Sequence, residues 1–391
     1  MKPRIPHPLV VAYVSGHGFG HAVRTSVILG ELMDLIPSTR VVIKTTAPPW
    51  IFRALGRRAS VLAQEVDCPP VQADAFSLEI EETLSRMRAW LDHKECWLEV
   101  EAAWLRENRP SLVLADISPL ALVAANRRGI PAALIANFTW EWILRRAELR
   151  DPRTVPLANE FAECTSQATW CFLTSPAVAN VDHPRPITVG LVGRRCGIDR
   201  QEVRRQLGIG KDTVAVLLSF GGLDVGCVDF APLADLRGIT WLSTSPRPQL
   251  PECRCIPRGF EHPCLVSAAD VVVGKLGYST VAETLIHGTP FLSAPRMHWP
   301  EDDLLRGALE SRLPTARVPW DRFVSGRWRE DLLALCGRGR AEEQRPYGGR
   351  QVAVLLSAAL LDEASAAEGL SALLASPKGE RPTDRRHPGP V

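Results

Sequence analysis

The sequence predicts an α/β protein made of two tandem Rossmann-like domains facing an interdomain cleft. Three observations carry that expectation. Short apolar runs alternate with helically spaced patterns along most of the chain, as in parallel α/β architectures. Glycine-rich loops fall where several of those runs end. The alternation resumes after residue 187, in a chain of 391 residues, where roughly 150 residues per domain gives two or three domains.

The elements follow in order. LVVAYV (9–14) reads as a first strand and runs into SGHGFGHAVR (15–24). TSVILGELMDLI (25–36) has helical spacing and TRVVIKTT (39–46) reads as the next strand. Residues 77–108 carry one long amphipathic helical pattern. SLVLADIS (111–118) is a strand holding Asp116, followed by a helix closed by Gly129 and by the strand PAALIANF (131–138). Pro184 and Pro186 precede ITVGLVGRRCG (187–197), which reads as a linker. Asp199 suits the N-cap of a helix over RQEVRRQL, with Gly208 closing it. TVAVLLSFGG (213–222), GITWLSTS (238–245), ECRCIPRGF (252–260), ADVVVGK (269–275) and TPFLSAP (289–295) are the strand candidates of the second half. STVAETLIHG (279–288) reads as a helix capped by Ser279 and ended by Gly288. The tail 376–391 is rich in Pro, Gly and charge and is expected to be disordered. The expected division is 1–186, 187–375 and that tail.

Composition narrows the function. Lysine and arginine total 46 and aspartate and glutamate 44, a net charge of +2, without the basic balance of a nucleic-acid binder. The Arg57-Arg58, Arg127-Arg128 and Arg194-Arg195 pairs read as solvated surface. The ten cysteines form no CxxC pair, so metal-site spacing is absent and reduced thiols are expected. No apolar run approaches the roughly 18 residues of a membrane span. The N-terminus lacks the apolar core of a signal peptide. The expectation is a soluble cytoplasmic protein with no transmembrane span and no nucleic-acid partner.

The glycine loops suggest the chemistry. Gly16, Gly18 and Gly20 let the backbone approach a ligand, and a helix N-terminus just beyond offers free N–H groups to a phosphate. Phe220-Gly221-Gly222 and Gly274-Lys275-Leu276-Gly277-Tyr278-Ser279-Thr280 repeat the device, and the stretch after Pro295 is a fourth strand-end loop. Neither GxGxxG nor GxxxxGK[ST] occurs in them. Each loop alone is also compatible with a plain tight turn. Glu283, one turn into its helix, suits either a ribose diol or the helix dipole. His17 and His21 are candidates for a general base with a pKa near neutrality, with a contact to sugar or phosphate as the other role. One of them can instead cap a helix or pack on Phe19, and a metal site lacks a third ligand. Arg24, a cation in a first helical turn, points to a nearby anionic ligand or to a salt bridge. Asp116 assists a histidine or caps the next helix. Trp140 and Trp142 stack on a sugar or sit in the core.

A resemblance sharpens these readings. Residues 274–283, with Gly288-Thr289-Pro290 and Pro295, resemble the donor-binding motif of GT-B glycosyltransferases. The lipid-II-forming N-acetylglucosaminyltransferases are similar. The glycosyltransferase-like N-terminal region of the L-arabinokinases is more similar, through residues 15–24, 66–68, 71–75, 137–140, 220–222 and 301–306. The similarity runs over most of residues 10–360. Arabinokinases continue into a GHMP-type kinase domain that has no counterpart in this sequence, so sugar-kinase activity is not implied.

The resemblance implies a GT-B fold and a sugar transfer from a nucleotide diphosphate, UDP by preference, to a small or lipid-linked acceptor. It implies no cofactor and no metal. His21 matches the acceptor-side histidine and is the implied base, with His17 and Asp116 beside it. Glu283 matches the ribose ligand. Leu276, Gly277, Tyr278, Ser279 and Thr280, with Lys275, match the loop beside uracil and diphosphate. Gly221 and Gly222 match the loop near the phosphates, and Gly18 and Gly20 are assigned to donor binding with them. Asp302 and Asp303 stand where the lipid-II family has two glutamines near the donor sugar, which leaves that sugar open. Arg24, Gln72, Asp74, Asn137 and Trp140 are assigned to the acceptor side. A non-catalytic nucleotide-sugar-binding or regulatory module, and a nucleotide-sugar epimerase or hydrolase, are the alternatives.

Overall fold

The computed structural model describes residues 7–72, 76–146, 151–221, 225–243, 250, 253–255, 260–294, 296 and 299–361. Within them the chain forms two parallel sheets. The first holds β1 (Leu9–Val14), β2 (Arg40–Thr45), β3 (Ala59–Ala63), β4 (Leu112–Asp116), β5 (Ala132–Ala136), β6 (Trp170–Ser175) and β7 (Pro186–Leu191), in the order β3-β2-β1-β4-β5-β6-β7. The second holds β8 (Val214–Ser219), β9 (Ile239–Ser243), β10 (Arg254–Cys255), β11 (Val271–Lys275), β12 (Phe291–Ala294) and β13 (Thr315–Arg317), in the order β10-β9-β8-β11-β12-β13. Both are α/β layers with helices over the sheet faces. Each order reverses at its first strand, β1 or β8, and ligands of open α/β sheets bind at the carboxyl ends beside such a reversal.

The central strands read as continuous apolar runs because both faces are covered. β1 and β4 are fully buried from Val10 and Leu112 onward. They pair in register, Val10 with Leu112 and Val14 with Asp116, which brings the end of β4 beside the glycine loop after β1. The helix Gly20–Leu35 lays Ala22, Ile28, Leu29 and Leu32 on the first sheet.

The chain crosses between sheets twice. After β7 it enters the second half. At its end the helix Gly348–Leu361 returns and packs Val352, Ala353 and Leu356 into the core of the first half. The sheets therefore change after Leu191. Residues 187–191, expected as linker, are the body of β7, and the expected boundary at 186/187 falls at its start. β7 is an edge strand, and an edge accepts the leading Pro186 that made the segment look irregular. The single pattern expected over 77–108 is two helices, Ile80–Asp92 and Lys94–Asn108, broken at His93. The His93 ring lies 2.8 Å from Ala89 O and closes the first helix there. Asp199 caps its helix as expected, accepting from Gln201 N and Glu202 N. Gly129, Gly208 and Gly288 all take left-handed backbone at helix ends. The tail 376–391 lies outside the described residues.

Candidate active site

The glycine loop after β1 is compact by necessity. A Cβ on Gly16 would meet Thr46 Oγ1 at 1.9 Å, and Gly18 has φ of 65°. The loop opens the helix Gly20–Leu35, whose residues His21 and Arg24, three apart, share one face. That face meets Asp116. His21 Nδ1 lies 2.8 Å from Asp116 Oδ1. Arg24 Nε donates to Oδ2 at 3.0 Å and Arg24 Nη2 to Oδ1. Thr25 Oγ1 donates to Oδ2 at 2.7 Å. Burial alone would raise the Asp116 pKa, but Arg24 and then His21 outweigh it and hold the carboxyl at about 2. Asp116 is therefore an anion. Its partner nitrogen Nδ1 carries the proton in neutral His21, which leaves the lone pair on Nε2; the tautomer is assigned from this network. Ile117, the next residue, has φ of 47°, a conformation that costs a β-branched residue of order 1–3 kcal/mol and turns the chain sharply after Asp116.

The second half faces this group. Tyr278 opens the helix Tyr278–His287, and its ring lies 5.0 Å from the Arg24 guanidinium. Its hydroxyl donates to Ser175 O at 2.9 Å, across the two halves. His17 stacks on Trp299 at a centroid distance of 5.1 Å and meets Trp140 edge-on at 5.8 Å. Burial first, then its electrostatic neighbours His21, Lys275 and Arg296, hold His17 well below its usual pKa, so it is neutral. Burial, reinforced by Arg296, lowers Lys275 to about 7. Lys275 Nζ has no hydrogen-bond or ion-pair partner among the described residues. Gly221 (φ 69°) lies under it, a Cβ there falling 3.5 Å from Lys275 Cε. Lys275 thus has beside it the bare backbone of Gly221 and Arg296, itself paired with Asp302, and it lies on the strand that leads into the Tyr278–His287 helix. That set suits an anion such as a diphosphate.

The expected residues divide by where they fall. His21, Arg24, Asp116 and Asn137 form one buried group. The Asp116 carboxylate accounts for the cation in the first turn, since Arg24 is a buried ion-pair partner. Asp116 takes no part in capping the following helix, whose N-cap is Ser118. Trp140 is buried and donates to Asp67 Oδ2 at 3.2 Å, so the core reading holds for it. Burial raises Asp67 to about 7 against the Ser15 and Trp140 hydrogen bonds that lower it. Gln72 pairs in an isolated bridge with Leu78. Ser279, expected as N-cap, is one residue inside the helix. Gly277 is the N-cap, and Ser279 Oγ donates instead to Gly20 O at 3.3 Å. Gly20 therefore serves helix contact: a Cβ there would lie 3.7 Å from Tyr278 Cβ.

Glu283 is fully buried. Its Oε1 accepts from Arg194 Nε at 2.7 Å, and its Oε2 lies 2.5 Å from His262 Nδ1. A ribose contact there requires one of these partners to move. His262 Nε2 continues to Ser219 Oγ at 2.9 Å, with Thr280 Oγ1 3.5 Å beyond. Arg194, expected on the surface, belongs to this chain. Asp302 is buried against Arg296, whose Nε donates to Oδ1 at 2.8 Å and whose Nη2 reaches Leu276 O. Asp303 is exposed and pairs with Arg306 on its own helix, away from the buried group. Asp74 and Gly222 lie outside the described residues.

Sequence reasoning missed Arg296, Trp299, Glu301 and His262. The first three lie just after Pro295, beside a loop that the alternation did place at a strand end. His262 carried no local signal.

The comparisons with known proteins bear on the fold. The L-arabinokinase of Arabidopsis thaliana is 28% identical over 381 residues, covering 93% of this chain. The chain spans only 36% of that protein's length. No family model matches. Among solved structures, the glycosyltransferase of kitacinnamycin superposes with a TM-score of 0.60 at 16% identity, covering 94% of this chain and 98% of that one. UGT89C1 of Arabidopsis thaliana complexed with UDP gives 0.57 at 15% identity, covering 94% and 99%. The fold is GT-B. Within it, His21 follows the carboxyl end of β1 and Lys275 ends β11. Among the described residues, no helix is long and apolar enough to cross a membrane.

Proposed function

We propose that this chain transfers a sugar from a nucleoside diphosphate, UDP by preference, to a hydroxyl of a small or lipid-linked acceptor. One observation carries the reading: His21, anchored by Asp116, and Lys275, without a partner among the described residues, both lie within electrostatic reach of His17. His21 Nε2 takes the acceptor hydroxyl proton as that oxygen bonds to the anomeric carbon. The bond from that carbon to the diphosphate breaks, and its electron pair leaves with the nucleoside diphosphate. Asp116 stabilises the imidazolium that forms. Lys275, Arg296 and the amides at Tyr278 meet the leaving charge, the electrostatic work a metal does elsewhere. Asp302, which Arg296 holds, is the proposed contact to the donor sugar. The GT-B fold and the UDP complex of a structural neighbour support the nucleotide.

The test is thermal stabilisation against UDP, GDP, dTDP, ADP, CDP and their common sugars, since a ligand of the folded state raises Tm by mass action. The expected result is a shift with one nucleotide that is lost in Lys275→Met. A well-folded protein that answers to none of them overturns the reading. A second reading, a nucleotide-sugar-binding module without turnover, draws support from similarity to a protein named as a kinase. His21→Ala separates the two. It leaves nucleotide affinity in place in both cases, and only a transferase has turnover to lose, by about two to four orders of magnitude.

A further inference from the structure

Asn137 follows β5 in the first half and bridges two charges of opposite sign. Its Oδ1 accepts from Arg24 Nη1 at 2.7 Å. Its Nδ2 donates to Glu301 Oε1, in the second half, at 2.7 Å. Only an amide in this orientation serves both neighbours, since the guanidinium has donors alone and the carboxylate acceptors alone. The chain continues on either side. Arg24 holds Asp116, which orients His21. Glu301 Oε2 accepts from Trp299 Nε1 at 3.0 Å, and Trp299 stacks on His17. Asn137, Glu301, Arg24 and Asp116 are all buried. The Tyr278 ring also meets Arg24 and Trp299 stacks on His17, while the hydrogen bonds of Tyr278 to Ser175 and of Ser279 to Gly20 end on backbone carbonyls. The Asn137 contact reaches the His21 group through side-chain hydrogen bonds.

We propose that Asn137 is a positioning residue that couples the two halves, its amide joining Glu301 of one half to the Arg24–Asp116–His21 group of the other. The polarity of the bridge makes this testable by exchange. Asn137→Asp keeps the shape and the acceptor for Arg24, but sets a second carboxylate against Glu301. Glu301→Gln then restores a donor. Nε2 of the new amide serves residue 137, and its oxygen still accepts from Trp299. The double variant carries the same total charge as the natural chain, with the bridge reversed.

The experiment is small-angle X-ray scattering and thermal unfolding on the natural chain, both single variants and the double variant. No ligand is needed, so its outcome is independent of the transferase reading. Asn137→Asp is expected to raise the radius of gyration and lower Tm by at least about 2 °C. The double variant is expected to recover most of both changes. If Asn137→Asp does not fold, recovery of a folded double variant still supports the coupling. An unchanged scattering curve for a folded Asn137→Asp overturns it, and so does a double variant no better than the single ones.

Discussion

Arg24 grips both carboxylate oxygens of Asp116, donating from Nε to Oδ2 at 3.0 Å and from Nη2 to Oδ1, with both side chains out of water. Two full charges are buried here, and their attraction offsets their desolvation only with the help of further hydrogen bonds to both side chains. Thr25, His21, Asn137 and Thr174 supply them. The same geometry that stabilises the pair fixes the His21 ring.

Asp116→Asn keeps the shape and removes the charge. It leaves Arg24 buried without its counter-ion, which is expected to cost about 3–5 kcal/mol in urea denaturation. Turnover falls as well, because an amide at 116 no longer holds the His21 tautomer. The pH dependence has a definite sign. The folded pKa of about 2 lies below the ordinary 3.8, so the contribution is fully present above pH 4 and is lost as pH falls toward 2. The stability gap between natural chain and variant should narrow by about 2 kcal/mol across that window. A gap that stays constant from pH 5 to pH 2.5 contradicts the assignment.

Lys275 gives a pH dependence of the same sign at higher pH, but as a group whose charge folding penalises. Its folded pKa of about 7 lies below the ordinary 10.5, so the unfolded chain binds more protons between those values, and this term makes stability rise with pH. Lys275→Met is expected to raise Tm of the ligand-free protein at pH 7 while weakening diphosphate binding. In the natural chain, UDP affinity should fall as pH rises above 7, because the ligand must bring a proton to Lys275. Calorimetry at pH 6.5 and 8.5 reads this directly. Affinity that does not change between them speaks against a Lys275–diphosphate contact.

Glu101 is the hub of a second buried group, away from the cleft. It accepts from Lys44 Nζ, Tyr13 OH and Gln64 Nε2, each at 2.6 Å, and Lys44 Nζ sits 3.9 Å from the Trp104 ring centroid. Glu101→Ala strands a buried lysine and is expected to cost about 3–5 kcal/mol by urea denaturation. Nucleotide-induced stabilisation should survive in the folded fraction. Loss below 1 kcal/mol would show that the group relaxes or hydrates freely.

Two glycines beside the cleft should answer differently to alanine. At Gly274 a Cβ would meet Ser219 O, a strand carbonyl, at 2.1 Å, and neither backbone has room to retreat. Gly274→Ala is expected to lower Tm severely or prevent folding. At Gly18 a Cβ meets nothing within 4 Å, and only the left-handed φ of 65° opposes it. Gly18→Ala should cost about 1–2 kcal/mol. Equal losses in Tm for the two variants would contradict this difference.

The sequence by itself determined the α/β class, the strands β1, β2, β4, β5, β8, β9, β11 and β12, the helix ends at Asp199, Gly208 and Gly288, and the glycine loop holding His17 and His21. These are local properties: apolar periodicity, cap chemistry and left-handed turns act within about one element. Tertiary structure decided the partnerships. Arg24 meets Asp116 across 92 positions and Asn137 meets Glu301 across 164. Which residues meet depends on the strand order that sets β4 beside β1, and on how the second half faces the first. For the same reason Glu283 reads from sequence as open to a ligand, yet is enclosed by Arg194 and His262. A side chain's local spacing sets its direction on a helix, but the elements packed there set which partners it finds.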